Sequence, residues 1–410
     1  MERTIVGIDV GTTKICTLVG EVDAEGGLRI VGVGVAPARG IRKGVVVNVQ
    51  EATDAIATSI EKAERISGYA IESGYVGLAG AHVSAINSRG VVAVNRGERG
   101  IQPTDIERAL DAARAVAIPH NREVLHVIPR GYTVDGDDGV RDPLGMQAYR
   151  LEVEAHIVTG ATPSIHNLVK CVQATGVGID ALVLEPLASG TAVLTEMERE
   201  MGVVLADIGG GTTDIAIFIE GSIWHTVVLP TGGEHVTNDI AIGLRTPFTT
   251  AEELKIKYGH ARPQSVNPDE NFEVAVFGEG ERQRVSRKFL SQIIEARVEE
   301  IFDLIHQEIK RSGYDGLLPA GMVLCGGTAD LAGIRNLARD MLKLPVRIGA
   351  PQDLRGLVDI LGSPAYATSV GLLQWGLQHD VPQPTNVRRN GHIKLPGWLK
   401  AFLPERQMRS

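Results

Sequence analysis

Cysteine is scarce in this sequence, and its few copies are far apart. The chain of 410 residues contains three, Cys16, Cys171 and Cys325, each in an apolar stretch. Zinc clusters and disulfide frameworks need several cysteines at short spacings, so neither is expected. The three side chains are predicted to lie in the core, and the chain to work in a reducing compartment.

Long hydrophobic runs are missing as well. No run of about 18 apolar residues occurs, which is the length that a membrane-spanning helix needs. The N-terminal residues enter a strand-like pattern without the charged and then apolar leader of a secreted protein. The sequence therefore predicts a protein that is neither secreted nor membrane-spanning.

Aromatic residues and positive charge are also limited. Aromatic residues make up 4% of the chain, whereas 43% is hydrophobic and 48 residues are glycine, as in globular α/β proteins of several packed units. The net charge is −9, but residues 381–410 carry six basic groups and one acidic group, +5, which leaves −14 for the rest. A body this acidic is not expected to bind nucleic acid.

A glycine-rich turn at the centre of the chain is the most informative motif. Residues 205–214 read Leu-Ala-Asp-Ile-Gly-Gly-Gly-Thr-Thr-Asp between two apolar runs, which predicts strand, tight turn and strand. The glycines let backbone N–H groups approach an anion, and the threonines add hydroxyl donors. Asp207 and Asp214 would repel a phosphate unless a divalent cation lay between them, so Mg²⁺ with a nucleotide is predicted. The candidate phosphate contacts are Gly209, Gly210, Gly211, Thr212 and Thr213.

A second copy of this motif lies near the N-terminus. Residues 5–14 read Ile-Val-Gly-Ile-Asp-Val-Gly-Thr-Thr-Lys, again followed by an apolar run. Each copy alone could be an ordinary β-turn, because Asp-x-Gly hairpins are common. Two copies with the same order of residues predict two related domains that face one cleft. The candidates in this copy are Asp9, Gly11, Thr12, Thr13 and Lys14.

The paired hairpins resemble those of the actin-like ATPase superfamily, and within it the chain is most similar to the FtsA family. The resemblance implies an α/β, ribonuclease H-like, two-domain ATPase fold that binds ATP and Mg²⁺. It implies that Asp9, Asp207 and Asp214 hold the metal through water and that Lys14 meets the β-phosphate. No base tuned for fast turnover can be identified in the sequence, so slow ATPase activity at most is expected.

Residues 88–159 interrupt the α/β pattern with a strand, a helix and two strands, which predicts a compact α+β insert. Thr104 and Glu107 have the spacing of a capping box at the start of its helix. The acidic turn at 135–142 could suggest calcium but lacks the EF-hand spacing, and a plain loop is favoured. The insert resembles subdomain 1C of the FtsA family, which implies contacts with later division proteins.

Glu185 ends an apolar strand directly before a helix that starts with proline. Such a carboxylate could orient the attacking water or hold the metal at a cleft where strands end. The alternative is a surface glutamate favoured by the helix dipole. The superfamily places an acidic or amide residue at this connection, so the resemblance implies that Glu185 is catalytic, together with Asp207.

Three later segments supply the remaining nucleotide candidates, Gly232, Gly233, Glu252, Lys255, Gly326, Gly327 and Thr328. The first pair opens a helix whose free N–H groups could meet phosphate. The Glu and Lys are an ordinary solvated pair by spacing alone, but the resemblance implies contacts with ribose and adenine. The last turn resembles the adenosine motif, and residues 363–371 resemble the second interdomain connection.

A long helix is predicted from about 285 to 310, with several basic residues on an acidic body. A solvated face is the default interpretation of such charges. The FtsA family binds the acidic C-terminal peptide of the tubulin-like protein FtsZ at this place. The resemblance therefore implies that Lys288 and Arg297 contact that peptide.

The C-terminal residues differ in composition from the rest of the chain. Residues 380–392 have little to bury and are expected to form a flexible linker. Residues 393–410 form an amphipathic pattern with basic neighbours, typical of a helix that lies in an anionic membrane surface; docking of this segment on the body is the alternative. The predicted membrane contacts are Leu395, Trp398, Leu399, Lys400, Phe402 and Leu403.

The resemblance also divides the chain into subdomains. The expected units are 1A (1–87, 160–202 and 350–379), 1C (88–159), 2A (203–245 and 312–349) and 2B (246–311). The function that it implies is an ATP-binding protein that forms actin-like filaments on the cytoplasmic face of the bacterial inner membrane and anchors the FtsZ ring there. An actin-like scaffold of a pilus or secretion machine, which should lack the tail, and a small-molecule kinase are the alternatives.

Overall fold

The computed structural model describes residues 3–23, 25–94, 100–116, 118–275 and 282–379. The predicted linker and amphipathic helix at 380–410, with all six membrane candidates, lie outside the described residues. The strands are β1 (Arg3–Val10), β2 (Lys14–Val22), β3 (Leu28–Pro37), β4 (Ile41–Arg42), β5 (Val45–Val46), β6 (Ser73–Leu78), β7 (Ser84–Ala93), β8 (Arg122–Val134), β9 (Asp137–Val140), β10 (Arg150–Ala161), β11 (Gly178–Leu184), β12 (Val203–Ile208), β13 (Thr213–Ile219), β14 (Ser222–Leu229), β15 (Asn271–Ala275), β16 (Arg282–Ser286), β17 (Met322–Cys325) and β18 (Val346–Ile348).

The helices pack on the faces of the sheets that these strands form. They are α1 (Val49–Ser67), α2 (Pro103–Arg114), α3 (Thr162–Gln173), α4 (Glu185–Val193), α5 (Glu196–Met201), α6 (Gly233–Leu244), α7 (Phe248–Tyr258), α8 (Arg287–Ser312), α9 (Ile334–Leu342) and α10 (Ala367–His379). Within the described part of the chain, none of them is long and apolar enough to cross a membrane. Cys16, Cys171 and Cys325 are buried and free, as predicted.

Two five-stranded sheets with the same topology organise the molecule. Lobe I is built on the order β3-β2-β1-β6-β11 and lobe II on the order β14-β13-β12-β17-β18. In each sheet three antiparallel strands are followed by two parallel ones. The α/β class and the two related domains predicted from the repeated hairpins are therefore confirmed.

Lobe I is completed by the end of the described chain. Helix α10 packs on β1, where a Cβ atom on Gly7 would lie 2.9 Å from Cβ of Leu372. Only a glycine lets the helix approach the strand this closely. The first strand and the last helix are thus joined in one core, and this joint holds the ends of the two hairpins described below.

The insert forms its own antiparallel sheet in the order β7-β10-β8-β9, with α2 packed on it. The capping box predicted at Thr104 and Glu107 is wrong by two residues. Helix α2 begins at Pro103, and the Asp105 side chain accepts from the N–H of Gln102 at 3.0 Å. Proline suits the first helical position because its φ is fixed and its missing N–H needs no partner. The helix therefore begins two residues closer to the N-terminus than predicted.

The insert also contacts lobe II, through β8 and β10. The guanidinium of Arg130 on β8 lies 4.2 Å from the ring centroid of Trp224 on β14 and donates to the Tyr314 hydroxyl at 3.1 Å. His156 on β10 is 1% exposed, and its Nε2 lies 2.9 Å from Oγ1 of Thr226. The chain of the insert leaves and re-enters lobe I, so this element contacts both lobes.

Candidate nucleotide site

The two glycine hairpins meet face to face. A Cβ atom on Gly210 would overlap the Thr13 side chain, and one on Gly211 would lie 2.6 Å from Oγ1 of Thr12. Thr12 Oγ1 in turn accepts from the N–H of Gly44 at 3.1 Å. The absence of side chains at 209–211 is what allows the β1–β2 and β12–β13 turns to approach. The candidates of both hairpins are therefore brought together at one place between the lobes.

Two aspartates at the ends of the first strands are fixed by neighbouring hydroxyls of α10. Ser369 donates to Oδ2 of Asp9 at 2.6 Å, and Thr368 donates to Oδ2 of Asp207 at 3.0 Å. Both carboxyls are buried, and burial raises the pKa of Asp9 and of Asp207 while these hydrogen bonds act in the opposite direction. One helix thus orients the acids of both lobes.

Asp214 and Glu185 complete an acidic cluster. Burial, and then the charge of Asp207, raises the pKa of Asp214 to about 8. Burial, and then the three aspartates, raises the pKa of Glu185 well above its usual range. A cation beside such a group of carboxyls favours their charged forms and lowers these pKa values.

Two oxygens of this cluster fit a hydrated cation. Oδ1 of Asp214 and Oε1 of Glu185 are buried and have no hydrogen-bond partner. Carboxylate oxygens with water are the ligand set that Mg²⁺ prefers. No three His, Cys, Asp or Glu side chains among the described residues form a metal-binding group, so the fit rests on these two oxygens and on the shared position of the four acids.

Lys14 begins β2 and extends towards the second connection between the lobes. Its Nζ donates to the Ala365 carbonyl at 2.5 Å and lies 3.3 Å from the ring centroid of Tyr366. Burial lowers the pKa of Lys14, and the Asp9 carboxylate acts against that shift. The lysine therefore lies beside the acids and the hairpins.

The N-terminus of α6 supports the central turn. The N–H of Gly233 donates to the Gly209 carbonyl at 2.9 Å, and the N–H of Glu234 donates to the Gly210 carbonyl at 2.8 Å. The N–H groups of Gly233 and Glu234 were expected to be free for phosphate, but both already have carbonyl partners. A Cβ atom on Gly232 would lie 2.6 Å from the Gly209 carbonyl oxygen, so close packing explains this glycine.

Glu252 and Lys255 on α7 form one cluster with α6. The two side chains are 2.7 Å apart, and Lys255 also donates to Oγ1 of Thr237 at 2.8 Å and to the Gly233 carbonyl at 3.1 Å. The Thr237 hydroxyl donates to the same glutamate. A solvated surface pair would lack these partners, so the structure places both residues beside the glycine turn.

The predicted adenosine turn contacts the acids and the central hairpin. Gly326 has φ +83°, and a Cβ atom there would overlap Asp207 and lie 2.5 Å from the Ile208 carbonyl oxygen. Oγ1 of Thr328 donates to the Gly209 carbonyl at 3.0 Å. By contrast, the nearest atom to a Cβ on Gly327 would be 3.8 Å away, which leaves a backbone surface open to a flat group.

Lys288 and Arg297 are not brought together. Both lie on α8, nine residues apart, which corresponds to about 14 Å along the axis and half a turn around it. Arg297 is already paired with Asp239 at 2.5 Å and with Glu300 at 2.6 Å. Lys288 is exposed at the start of the helix. The two side chains therefore do not form a single compact peptide site on this helix.

Four residues of the site were missed from the sequence: Thr237, Tyr366, Thr368 and Ser369. None belongs to a glycine motif, and the partners of Tyr366, Thr368 and Ser369 are distant in the chain. Ser369 is 360 residues from Asp9. Their place in the chain was the available signal: residues 363–371, which include Tyr366, Thr368 and Ser369, resemble an interdomain connection, and Thr237 follows Gly233 by one helical turn, with its Oγ1 3.1 Å from that carbonyl oxygen.

The chain is similar to known proteins both in sequence and in fold. Residues 204–371 match the sequence model "Cell division protein FtsA", and residues 80–159 match "SHS2 domain inserted in FTSA". The chain is 48% identical to the cell division protein FtsA of Pseudomonas aeruginosa over 92% of its length and 90% of that protein. It is 42% identical to FtsA of Neisseria meningitidis serogroup B, over 94% and 93% of the two chains.

Solved structures with the same fold are much more distant in sequence. A PilM-PilN type IV pilus biogenesis complex has a TM-score of 0.65 at 16% identity and covers 91% of this chain and 98% of that chain. MreB5 of Spiroplasma citri bound to ADP has a TM-score of 0.55 at 14% identity, over 91% and 96%. A MamK double helical filament has a TM-score of 0.52 at 14% identity, over 93% and 100%. At these identities the likeness shows the actin-like fold.

Proposed function

The chain belongs to the FtsA family of cell division proteins and has the actin-like fold with an inserted domain, and on that basis we propose that it binds Mg-ATP between its lobes and tethers the FtsZ ring to the membrane. The observation that carries the nucleotide part is the convergence of two glycine hairpins on four acids, two of which, Asp214 and Glu185, have buried oxygens without a partner that fit a hydrated cation. The rest of the proposal draws on family membership and on the sequence.

The residues of both lobes have separate roles in the proposed site. The hairpins at 11–14 and 209–213 surround the phosphates, and the acids Asp9, Asp207 and Asp214 hold Mg²⁺ through water. Bound Mg²⁺ neutralises phosphate charge and holds the phosphates in place. Glu252, Lys255 and the turn at 326–328 hold the nucleoside. These contacts come from both lobes, so the site is suited to close them together.

Slow hydrolysis is part of the proposal. Oε1 of Glu185 is buried and has no partner, so it is available to orient a water molecule. Asp207, held by Thr368 at 3.0 Å, stays fixed beside it. These two acids would position the water, but the described residues of the cluster include no base tuned for fast turnover, so slow hydrolysis is proposed.

The Asp207→Ala variant tests the nucleotide site. The change removes a buried carboxyl shared by the metal, Thr368 and the Gly326 turn, so Mg-dependent ATP binding should be abolished. Binding is measured by isothermal titration calorimetry with and without Mg²⁺. Asp54→Ala on the exposed face of α1 is the matched control and should bind as the unaltered chain does. ATP affinity that Asp207→Ala leaves unchanged would refute the assignment of the central hairpin.

The membrane part of the proposal rests on the sequence of residues 393–410. Each large apolar side chain contributes roughly 1.5–3 kcal/mol when fully buried, and each basic residue adds about 1 kcal/mol at an anionic leaflet. Ordering the tail offsets much of this free energy. One chain should therefore bind reversibly, and a polymer that carries many tails should bind firmly. The proposed location is the cytoplasmic face of the inner membrane at the division site.

Co-sedimentation with anionic vesicles tests the tether. The full chain should pellet with the vesicles in the presence of ATP, whereas a chain stopped after Asp380 should stay in the supernatant. Trp398→Ala and Phe402→Ala should release the full chain, because they remove apolar area from the bound face. If the full and shortened chains bind ATP and pellet alike, the tail is not an anchor.

Protein partners complete the proposal. The acidic C-terminal peptide of FtsZ is proposed to bind at α8 through Arg297 or Lys288, and later division proteins at subdomain 1C. Self-association into actin-like filaments is supported by the fold that the chain shares with the MamK filament. A pilus scaffold is not favoured, because it should lack the amphipathic tail that the sequence of residues 393–410 predicts, and no feature of the described residues supports a small-molecule kinase.

A further inference from the structure

Lys14 has two contacts that the proposed nucleotide site does not account for. Its Nζ donates to the Ala365 carbonyl at 2.5 Å and faces the ring of Tyr366 at 3.3 Å from the centroid. Both partners belong to the short 3-10 helix Pro364–Tyr366, which directly precedes α10. The lysine of the lobe I hairpin is therefore held by the connection between the lobes.

This short helix is itself fixed to lobe II. The Pro364 carbonyl accepts from the N–H of Gly326 at 3.0 Å. The hydroxyl of Ser363 donates to Asp330 at 2.9 Å and accepts from the N–H of Ala365 at 3.1 Å. These contacts fix the ring of Tyr366 relative to the turn at 326–328, which is proposed to hold the nucleoside. The ring also contacts Lys14, which belongs to the hairpin proposed to surround the phosphates.

An aromatic ring suits a lysine that must later meet a phosphate. The face of the ring attracts an ammonium group electrostatically but carries no net charge, so it orients the group without neutralising it. A carboxylate in the same place would compete with the incoming phosphate for the lysine. The carbonyl of Ala365 is also uncharged, so a phosphate can replace it as a partner of Lys14. Because the lysine is largely removed from water, both of its contacts are strengthened.

We propose that Tyr366 is a positioning residue that orients Lys14 towards the phosphates of the bound nucleotide through a cation–π contact. The inference rests on the proposed binding of nucleotide and adds a residue outside the glycine motifs to it. It predicts that the ring of Tyr366 matters and its hydroxyl does not, and that the ring acts only while Lys14 is present.

A double-mutant cycle on the full chain tests this inference. The affinity for Mg-ADP is measured by calorimetry for the unaltered chain, Tyr366→Leu, Lys14→Met and the double variant. Tyr366→Leu should weaken binding by about 5- to 30-fold, the range expected for a desolvated cation–π contact. Tyr366→Phe should remain within about twofold of the unaltered chain. In the Lys14→Met background, Tyr366→Leu should have no further effect.

Each other outcome has a definite meaning. Additive losses in the cycle, or a loss in Tyr366→Phe as large as in Tyr366→Leu, would overturn the cation–π role, because a structural side chain acts with or without Lys14. If the unaltered chain binds no Mg-ADP, the proposed nucleotide function fails and this inference fails with it. Normal binding with additive effects overturns the inference alone.

A second series covers the case in which Tyr366→Leu does not fold. Phenylalanine with one, two or three ring fluorines at position 366 keeps the shape of the ring but progressively removes negative potential from its face. The affinity for Mg-ADP should fall with each fluorine, while the unfolding temperature without nucleotide stays constant. Equal affinities across the series would overturn the inference.

Discussion

At the scale of single residues, the site depends on close approach to the acids. Gly326 is in the left-handed region, with φ +83°, and faces the carboxyl of Asp207. At Gly327 next to it, a Cβ would meet only an ordinary contact, the Ala365 Cβ at 3.8 Å. Packing and backbone conformation therefore explain the glycine at 326, whereas the glycine at 327 is proposed to leave access for the nucleoside.

Alanine at each of these positions separates the two reasons. Gly326→Ala should lower the free energy of unfolding by about 1–3 kcal/mol, because it combines a strained φ with overlap at Asp207. Gly327→Ala should change it by less than about 0.5 kcal/mol. Urea unfolding without nucleotide measures both. Similar values for the two variants would show that the approach of Gly326 to Asp207 is not important for stability.

The acids themselves were predictable because Asp, an apolar residue, glycine and Thr-Thr follow in the same order in both hairpins, and Asp9, Asp207 and Asp214 all lie in the acidic cluster. Their hydroxyl partners Thr368 and Ser369 were not, since no local pattern joins residues 360 positions apart. The same limit applies to Tyr366. A sequence motif reveals what a turn can bind, whereas the side chains that orient the ligands come from folding.

At the scale of elements, α8 separates the two basic residues proposed to contact an acidic peptide. The helix presents Lys288 and Arg297 on opposite faces, and the guanidinium of Arg297 is shared by two carboxylates. The long helix was predicted from its apolar spacing to within two residues at each end. The pairing of Arg297 with Asp239 on α6 was not predicted, because that contact follows from the packing of two helices.

If Arg297 is the peptide contact, Asp239 competes with the peptide for it. Asp239→Asn should then tighten binding of the acidic FtsZ peptide by about fivefold, equivalent to one ion pair of about 1 kcal/mol, and Arg297→Ala should weaken it. Fluorescence anisotropy of a labelled peptide measures both. Glu299→Gln, on the exposed face of α8, is the charge-matched control. Weaker binding by Asp239→Asn would remove Arg297 from the site.

At the scale of the whole molecule, the insert connects the lobes. Its presence was predictable from the break in pattern at residue 88, but its contact with lobe II was not, because Arg130, Trp224 and Tyr314 come from three separate segments. His156 lies within this contact, between Asn87 at 2.7 Å and Thr226 at 2.9 Å. Its neutral ring suits both partners.

Acid should lower the stability of the fold through His156. Burial, and then the charges of His225 and Arg130, lowers the pKa of His156 from its usual 6.5 to about 3. The unfolded chain gains a proton as the pH falls below 6.5 while the folded His156 does not, so stability present above that pH is lost progressively, by about 2 kcal/mol at pH 5.

His156→Gln measures this contribution, because glutamine keeps a donor and an acceptor but does not titrate. Between pH 7 and pH 5 the unfolding free energy of the variant should fall by about 2 kcal/mol less than that of the unaltered chain. Denaturant titrations at the two pH values give both differences. An identical fall in the two proteins would contradict the assignment to His156.

The joining of β1 to α10 has a consequence for synthesis on the ribosome. Asp9 leaves the ribosome some 360 residues before Ser369, which holds it, and Leu372, which covers Gly7. At translation rates of about 5–20 residues per second, that delay is roughly 20–70 s. During this time the core of lobe I cannot close, and its sheet has an uncovered apolar face. Lobe II begins later and has all its strands before α10 exists, so the half of the molecule that is made first finishes last.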